Sequence, residues 1–118
     1  MCGISGIINF NKKPSLKVAK AMSEKISHRG PDFKTTWSNE FSSVGFVRLA
    51  IIDLSINSNQ PFISEDNQVS LFYNGEIYNF KEIKKKLSEK GYIFKTKNSD
   101  TEVLLLSYIE WGIECVRK

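Results

Sequence analysis

Cys2 is the residue with the clearest capacity for chemistry, because it directly follows Met1. A small residue after an initiator methionine usually permits removal of that methionine, and Cys2 would then carry both a thiol and a free α-amine. An α-amine ordinarily has a pKa of about 7.7–8.0, so near neutral pH it can accept the proton of the thiol. The pattern predicts a nucleophile and its base within one residue, although chance is the simpler explanation of a Met-Cys start taken alone.

A second candidate is Arg48, which lies inside the mostly apolar stretch 44–52. An unpaired charge in a buried strand is unfavourable, so Arg48 requires an anionic partner or a route to solvent. A guanidinium group is a planar donor that binds a carboxylate through two parallel hydrogen bonds. A carboxylate ligand, a solvent-facing bulge and an ion pair with Asp53 all remain open as explanations.

The dipeptide Asn74-Gly75 directly follows an expected strand. Asn-Gly is the commonest two-residue hairpin turn, which gives these residues a purely structural explanation. A helix start at Asn79 follows within a few residues, however, and leaves no room for a partner strand. The spacing therefore favours a functional turn.

The elements that would position these residues follow from hydrophobic periodicity. Strands are expected at 3–9, 35–38, 44–52, 69–73 and, as a short segment, 92–95, with a polar loop over 55–67. The first helix would be capped by Ser15 and end at the turn 28–32. Its predicted apolar face consists of Leu16, Ala19, Met22 and Ile26.

Two further helices are expected in the second half of the chain. One would start at Asn79 with Glu82 and end at Gly91. Its predicted buried stripe consists of Phe80, Ile83 and Leu87. The other would open at Ser99 and Glu102, which have capping-box spacing, and continue through Trp111.

Composition places the chain among ordinary globular domains. With 118 residues, 41% hydrophobic and 25% charged, it is long enough for one core and one domain. No apolar run approaches the roughly 20 residues that span a bilayer, and no signal-peptide pattern precedes Cys2. Two distant cysteines form neither a disulfide framework nor a zinc pattern, so we expect a cytoplasmic protein with Cys115 as a buried or incidental thiol.

The net charge of +4 is concentrated in the lysines of residues 81–97. Glu82 and Glu89 interleave with them, and no arginine is present in that stretch. The pattern is typical of the solvated face of an amphipathic helix. It does not predict a nucleic-acid interface.

Five motifs follow the Cys2 start in order. They are His28-Arg29-Gly30-Pro31-Asp32, Arg48-Leu49-Ala50-Ile51-Ile52-Asp53, Asn59-Gln60-Pro61-Phe62, Tyr73-Asn74-Gly75-Glu76-Ile77-Tyr78-Asn79 and Ser99-Asp100-Thr101-Glu102. Together with Cys2 they resemble the glutaminase domain of glutamine-hydrolysing asparagine synthetases. These are class II glutamine amidotransferases with an N-terminal-nucleophile hydrolase fold. The resemblance spans nearly the whole chain.

This resemblance implies hydrolysis of L-glutamine to L-glutamate and ammonia through a thioester on Cys2. The side-chain amide of Asn74 and the backbone N–H of Gly75 would hold the oxyanion. Arg48 would bind the α-carboxylate of glutamine. The same pocket would be lined by the backbone of Leu49, Ala50, Ile51 and Ile52.

The resemblance also assigns Glu76 and Asp100 to the α-ammonium group of glutamine. Asp100 has a second explanation, since an acid in the first helical turn interacts favourably with the helix dipole. Glu76 could simply be exposed. His28 is the only histidine, and the resemblance places it in a structural turn near the site rather than in a Cys–His pair.

The implied fold is α+β: an αββα sandwich of the N-terminal-nucleophile hydrolase type, truncated at the C-terminus within 1–118. Family members continue into further strands and a synthetase domain that uses ATP and magnesium. We therefore expect this segment to hold no metal or cofactor, to depend on that missing synthetase domain as a partner, and to form a homodimer in the intact enzyme. Missing strands would leave apolar faces of 44–52 and 104–111 partly uncovered.

Two departures and one alternative accompany this interpretation. Phe46 stands where many family members have a histidine two residues before the arginine, which bears on local packing. The ammonia acceptor, by resemblance aspartate, lies outside the chain, and other amidotransferases share the same glutaminase chemistry. The competing hypothesis is an inactive fragment that binds glutamine or a partner chain without turnover.

Overall fold

In the computed structural model, which describes residues 2–51 and 53–118, the chain has an α+β architecture. The strands are β1 (Gly3–Ile8), β2 (Phe33–Ser38), β3 (Ser42–Arg48), β4 (Phe62–Ile63) and β5 (Ser70–Leu71). The α-helices are α1 (Leu16–Lys25), α2 (Phe80–Glu89) and α3 (Asp100–Trp111), and short 3-10 segments cover Ser27–Arg29, Ile56–Ser58 and Gly112–Arg117. The chain divides into a first unit, up to residue 51 with 72–74, and a second unit of the remaining residues.

The first unit is built on a three-stranded antiparallel sheet with the order β1-β3-β2. The central strand β3 pairs Val47 with Gly3 of β1 and Arg48 with Phe33 of β2. Phe46 and Val47 have no exposed surface, as expected for the middle strand of a covered sheet. The ring of Phe46 also lies 6.2 Å from that of Phe72, so a phenylalanine packs well at this position.

Helix α1 packs on the sheet through small residues. Its N-terminus is capped as predicted, with the Ser15 hydroxyl accepting a hydrogen bond from the backbone N–H of Val18. Ala19 is fully buried and Ser23 nearly so. A Cβ atom at Gly45 of β3 would lie 2.5 Å from the Ser23 Cβ, so helix and strand approach too closely for larger side chains.

The predicted apolar face of α1 is therefore wrong in part. Leu16 and Met22 are 43% and 36% exposed, whereas Ser23 is buried in their place. The reason is that close helix–strand packing selects small residues rather than the largest apolar ones.

The end of β3 also differs from the expectation. The strand begins two residues earlier than predicted and ends at Arg48 instead of continuing to residue 52. The backbone N–H of Ala50 donates to the Asp32 carboxylate at 2.8 Å instead of to a neighbouring strand. Ile52 lies outside the described residues, and Ile51 is exposed.

The second unit has its core between α2 and α3. Ile83 and Leu87 of α2 and Val103 of α3 are buried together. Partly buried residues complete this cluster: Ile77, Phe80, Tyr92, Phe94, Leu106 and Trp111. The predicted stripe of α2 is confirmed, and Gly91 follows the helix with a positive φ of 95°, which suits glycine at a helix end.

Both predicted capping arrangements of these helices are wrong, although the helices themselves are confirmed. Asn79 and Ser99 make no side-chain capping bond. The Glu102 carboxylate accepts hydrogen bonds from the backbone N–H groups of Lys95 and Thr96, both at 2.7 Å. The Tyr92 N–H donates to the Leu87 carbonyl at 3.1 Å, so both ends of residues 92–95 are bound outside a strand, and the predicted short strand does not form.

The predicted polar loop 55–67 contains two short elements. Ile56–Ser58 is a 3-10 turn, and Phe62 and Ile63 of β4 pair with Leu71 and Ser70 of β5. The predicted strand 69–73 is reduced accordingly to Ser70–Leu71. The turn between these strands is closed by the Ser64 N–H, which donates to the Val69 carbonyl at 2.9 Å.

Surface properties follow the sequence in most respects. Cys115 is buried, and Lys81, Lys85 and Lys86 of α2 are exposed, whereas Lys84 is half-buried. Tyr108 and Ile109 of α3 are 45% and 43% exposed, so an apolar part of this helix is uncovered as expected, whereas Val47 of β3 is fully covered. Among residues 2–51 and 53–118, no helix has the length and apolar character needed to cross a bilayer.

We expect Gly45→Ala to destabilise the chain by about 1–3 kcal/mol, because the added methyl group would overlap Ser23 and the Ala19 carbonyl. Thermal unfolding followed by circular dichroism measures this change. Lys20→Ala, on the exposed side of the same helix, is the control. An unchanged midpoint for Gly45→Ala would show that α1 does not pack closely on β3.

Candidate active site around Cys2

Cys2 lies directly before β1 and is half-buried. Its thiol points toward the carbonyl oxygen of Leu49, with 3.7 Å between Sγ and that oxygen. The predicted nucleophile is therefore next to the segment that follows Arg48.

Two side chains converge on the carbonyl oxygen of Cys2. Arg29 donates to it through Nε at 3.0 Å, and Asn74 donates through Nδ2 at 3.1 Å. The two donors come from positions 27 and 72 residues away along the chain. The fold thus brings the predicted oxyanion donor Asn74 to the predicted nucleophile.

The turn 30–32 shapes the backbone beside Cys2. A Cβ atom at Gly30 would lie 2.4 Å from the backbone nitrogen of Arg48, so only glycine permits this approach. The N–H of Asp32 donates to the Arg48 carbonyl at 3.1 Å, and its carboxylate accepts from the Ala50 N–H. Residues 48–50 are consequently fixed by the turn that follows Arg29.

Arg48 is only 8% exposed at the end of β3. This burial rules out the explanation that a bulge places its side chain in solvent. The Asp53 carboxylate accepts hydrogen bonds from the N–H groups of Ser55 and Asn98, and its ion pair with Arg48 stays a prediction. Hydrogen bonding, chiefly from the Ser55 side chain, holds the pKa of Asp53 below its ordinary value.

The other predicted site residues lie in the second unit. Gly75 and Glu76 are exposed in a segment without regular structure, so Asn74-Gly75 does not form a hairpin turn. Asp100 is 7% exposed at the start of α3, and its Oδ2 accepts a hydrogen bond from the Ile77 N–H at 3.0 Å. This bond holds Asp100 next to Ile77 and so brings it close to Glu76, the other residue assigned to the α-ammonium group.

Arg29 is a residue whose contact with Cys2 the sequence did not reveal. The family resemblance implied that the turn 28–32 lies near the site, but the sequence singled out His28, which is exposed. A positive side chain next to Gly30 and Pro31 was the available signal. No cluster of His, Cys, Asp or Glu residues that could hold a metal ion occurs in the described part of the chain.

Comparison with known proteins shows the family of this chain. A family model described as "Glutamine amidotransferase domain" matches residues 1–118, and the chain belongs to this family. It is 43% identical over 124 aligned positions to asparagine synthetase [glutamine-hydrolyzing] 1 of Bacillus subtilis, and 35% identical over 118 positions to asparagine synthetase [glutamine-hydrolyzing] 1 of Arabidopsis thaliana.

A third relative carries a different name. The chain is 33% identical over 130 positions to amidase chry2 of Gibberella zeae. The three alignments cover 100%, 98% and 98% of this chain, but only 19%, 20% and 19% of the relatives. The chain thus spans about a fifth of the length of the curated relatives it matches.

We expect Asp32→Ala to lower stability by about 1 kcal/mol, because the Ala50 N–H loses its carboxylate acceptor. Amide hydrogen exchange at Ala50 should become faster, which NMR measures directly. Asp32→Asn keeps a carbonyl oxygen at the same place and is the matched control. Equal protection of Ala50 in Asp32→Ala and the native chain would contradict this role of the carboxylate.

Proposed function

We propose that this chain hydrolyses the side-chain amide of L-glutamine, giving L-glutamate and ammonia, with Cys2 as the nucleophile. The observation that carries the proposal is the meeting of Cys2 and Asn74 in a chain of the glutamine amidotransferase family. A residue that carries a thiol and is bound through its backbone to a side-chain amide donor offers two parts needed for acyl transfer: a nucleophile and a group that binds developing negative charge.

The first step requires removal of Met1, which lies outside the described residues. The neutral α-amine of Cys2 then takes the thiol proton, and the sulfur attacks the amide carbon. Collapse of the tetrahedral intermediate breaks the C–N bond, and the protonated amine returns its proton to the departing ammonia. Water, deprotonated by the same amine, cleaves the thioester and releases glutamate.

Asn74 and Gly75 are assigned to the oxyanion. The assignment of Asn74 is supported by its contact with the same residue as the proposed nucleophile, since Nδ2 is 3.1 Å from the Cys2 carbonyl oxygen. The role of the Gly75 N–H rests on the family resemblance. Preset donors of this kind stabilise charge that develops in the transition state.

The ends of the substrate are assigned as follows. Arg48 binds the α-carboxylate, since a buried guanidinium is suited to a planar anion, and the backbone of residues 49–52 lines the same pocket. Asp100 and Glu76 meet the α-ammonium group. Support for Asp100 comes from its bond to the Ile77 N–H, which brings its carboxylate close to Glu76, whereas the assignments of Glu76 and Ile52 rest on the resemblance alone.

The names and lengths of the relatives support a wider setting. In a longer polypeptide, residues 1–118 would form the first part of a larger N-terminal-nucleophile sandwich. Ammonia would pass to a synthetase domain that makes asparagine from aspartate with ATP and magnesium, and the intact enzyme would be a homodimer. The relative named as an amidase favours a second possibility, in which the ammonia released from glutamine is used to make a product other than asparagine. A cytoplasmic location would keep the Cys2 thiol reduced.

Cys2 should be the site of covalent labelling by 6-diazo-5-oxo-norleucine, a glutamine-like alkylator. Intact-mass spectrometry should show loss of Met1 and one adduct, and excess glutamine should prevent the labelling. Cys115→Ala should label as the native chain does, because Cys115 is buried and lies outside the proposed site. Cys2→Ala should neither label nor hydrolyse glutamine.

The same measurement separates the proposal from its alternative. A chain that has lost Met1 but forms no adduct, while still binding glutamine, would be the inactive fragment that binds without turnover. Glutamine hydrolysis that survives Cys2→Ala would overturn the mechanism.

Asn74→Ala should lower kcat by about 10²–10³-fold with a smaller change in KM, because the lost donor acts on the oxyanion rather than on bound glutamine. Steady-state glutaminase kinetics measure both constants. Asn79→Ala is the matched control, since the Asn79 side chain donates to the Lys118 carbonyl and has no proposed contact with substrate. A kcat equal to that of the control would remove Asn74 from the oxyanion site.

A further inference from the structure

A buried carboxylate holds the loop that precedes α3, defined here as residues 94–99. Glu102 is 5% exposed and accepts hydrogen bonds through both carboxylate oxygens. Oε1 accepts from the Lys95 N–H, and Oε2 accepts from the N–H and the hydroxyl of Thr96. Thr96 is itself 4% exposed, so the two bonds from Thr96 are buried, whereas the bond from Lys95 is partly buried.

A lysine holds the same loop from α2. The Lys84 ammonium donates to the carbonyl oxygens of Thr96 at 2.9 Å and Lys97 at 2.8 Å. It also lies 4.6 Å from the centre of the Phe94 ring, a cation–π distance. The Glu102 carboxylate therefore binds N–H groups of the loop, and the Lys84 ammonium binds its carbonyl groups.

This loop leads directly into Asp100. Ser99 and Asp100 are 5% and 7% exposed, so the start of α3 is packed rather than frayed. Ser99 provides no side-chain cap, and Glu102 is directed to the loop instead of the helix start. The position of Asp100 thus depends on contacts made by its neighbours rather than on a conventional capping box.

We propose that Glu102 is a positioning residue for glutamine binding, which sets the place of the Asp100 carboxylate by holding the 94–99 loop. This inference rests on the proposed function in one respect, the assignment of Asp100 to the substrate α-ammonium group. The chain of contacts runs from Glu102 through Thr96 and the loop to Asp100. From Asp100 it continues to the Ile77 N–H, beside Glu76.

The chemistry of a carboxylate is required at position 102. Replacing Glu102 by glutamine puts an NH₂ donor where one oxygen now accepts from an N–H group. At least one donor of the loop then loses its partner, which is most unfavourable for the buried N–H and hydroxyl of Thr96. The loop relaxes to satisfy that donor, and the start of α3 moves with it.

The first test measures protection of the Ile77 N–H by amide hydrogen exchange, which reports whether its bond to Asp100 is kept. Glu102→Gln should speed exchange at Ile77 by about tenfold or more, while the core amides of α2 change no more than in the control. Thr96→Val, which removes only the hydroxyl donor, should act in the same direction with a smaller effect, and it decides the matter if Glu102→Gln fails to fold.

Glu110→Gln is the matched control. It makes the same chemical change on the same helix, but Glu110 binds Lys90 at 2.7 Å and the Tyr92 hydroxyl at 3.0 Å, away from the loop. The Lys90 partner holds the pKa of Glu110 below its usual value, so the control also removes a charged acceptor. Unchanged Ile77 exchange in both Glu102→Gln and Thr96→Val would overturn the proposal.

The second test compares hydrolysis of L-glutamine with that of 4-carbamoylbutanoate, which is glutamine without its α-ammonium group. Glu102→Gln should raise the KM for glutamine about tenfold, equivalent to about 1.4 kcal/mol, and should leave the KM for the analogue near its native value. Asp100→Asn should show the same selectivity, and the double variant should add little to it.

The two proposals fail in different ways. If the native chain hydrolyses neither compound, the proposed function fails, and the exchange measurement still judges the role of Glu102. If Glu102→Gln raises the KM for both compounds equally, the residue is structural and the positioning proposal is wrong. A rise in the KM for glutamine alone in Glu110→Gln would contradict the positioning proposal as well.

Discussion

The close approach of the turn 30–32 to the end of β3 is the constraint on which the candidate site in the first unit depends. Gly30 allows the turn to lie against the Arg48 backbone, where any Cβ atom would overlap it. The turn then supplies an N–H to the Arg48 carbonyl and a carboxylate to the Ala50 N–H. Because these bonds replace strand pairing, β3 ends at Arg48, and the following carbonyl of Leu49 faces the Cys2 thiol.

Charged side chains hold irregular backbone in place in both units. In the first, Arg29 donates from Nε to the Cys2 carbonyl and so holds the backbone of that residue. In the second, Glu102 and Lys84 bind the opposite polar groups of one loop. A charged side chain that satisfies backbone groups makes a stronger hydrogen bond than a neutral one, and it leaves an unpaired buried group when it is removed. Such residues fix irregular backbone where strands and helices cannot.

Several local elements were predictable because their signals are local. The Ser15 cap, the buried stripe of Ile83 and Leu87, and the glycine after α2 depend on residues a few positions apart. The capping box at Ser99 and Glu102 has the correct spacing, yet the glutamate binds Lys95 and Thr96. Spacing cannot tell which of two competing N–H groups a carboxylate reaches. The prediction of a strand at 92–95 was wrong because spacing also did not show that Glu102 binds the Lys95 N–H.

The sequence by itself determined the family, through motifs that span the chain, and with them the residue types available for glutamine chemistry. It also determined that burying Arg48 without a partner would be unfavourable in free energy. Only the tertiary structure decided that Arg29 and Asn74 share the Cys2 carbonyl, that Ser23 rather than Met22 faces the sheet, and that Asp100 binds the Ile77 N–H. Such contacts join residues far apart in the chain, and their geometry depends on close packing that no local periodicity encodes.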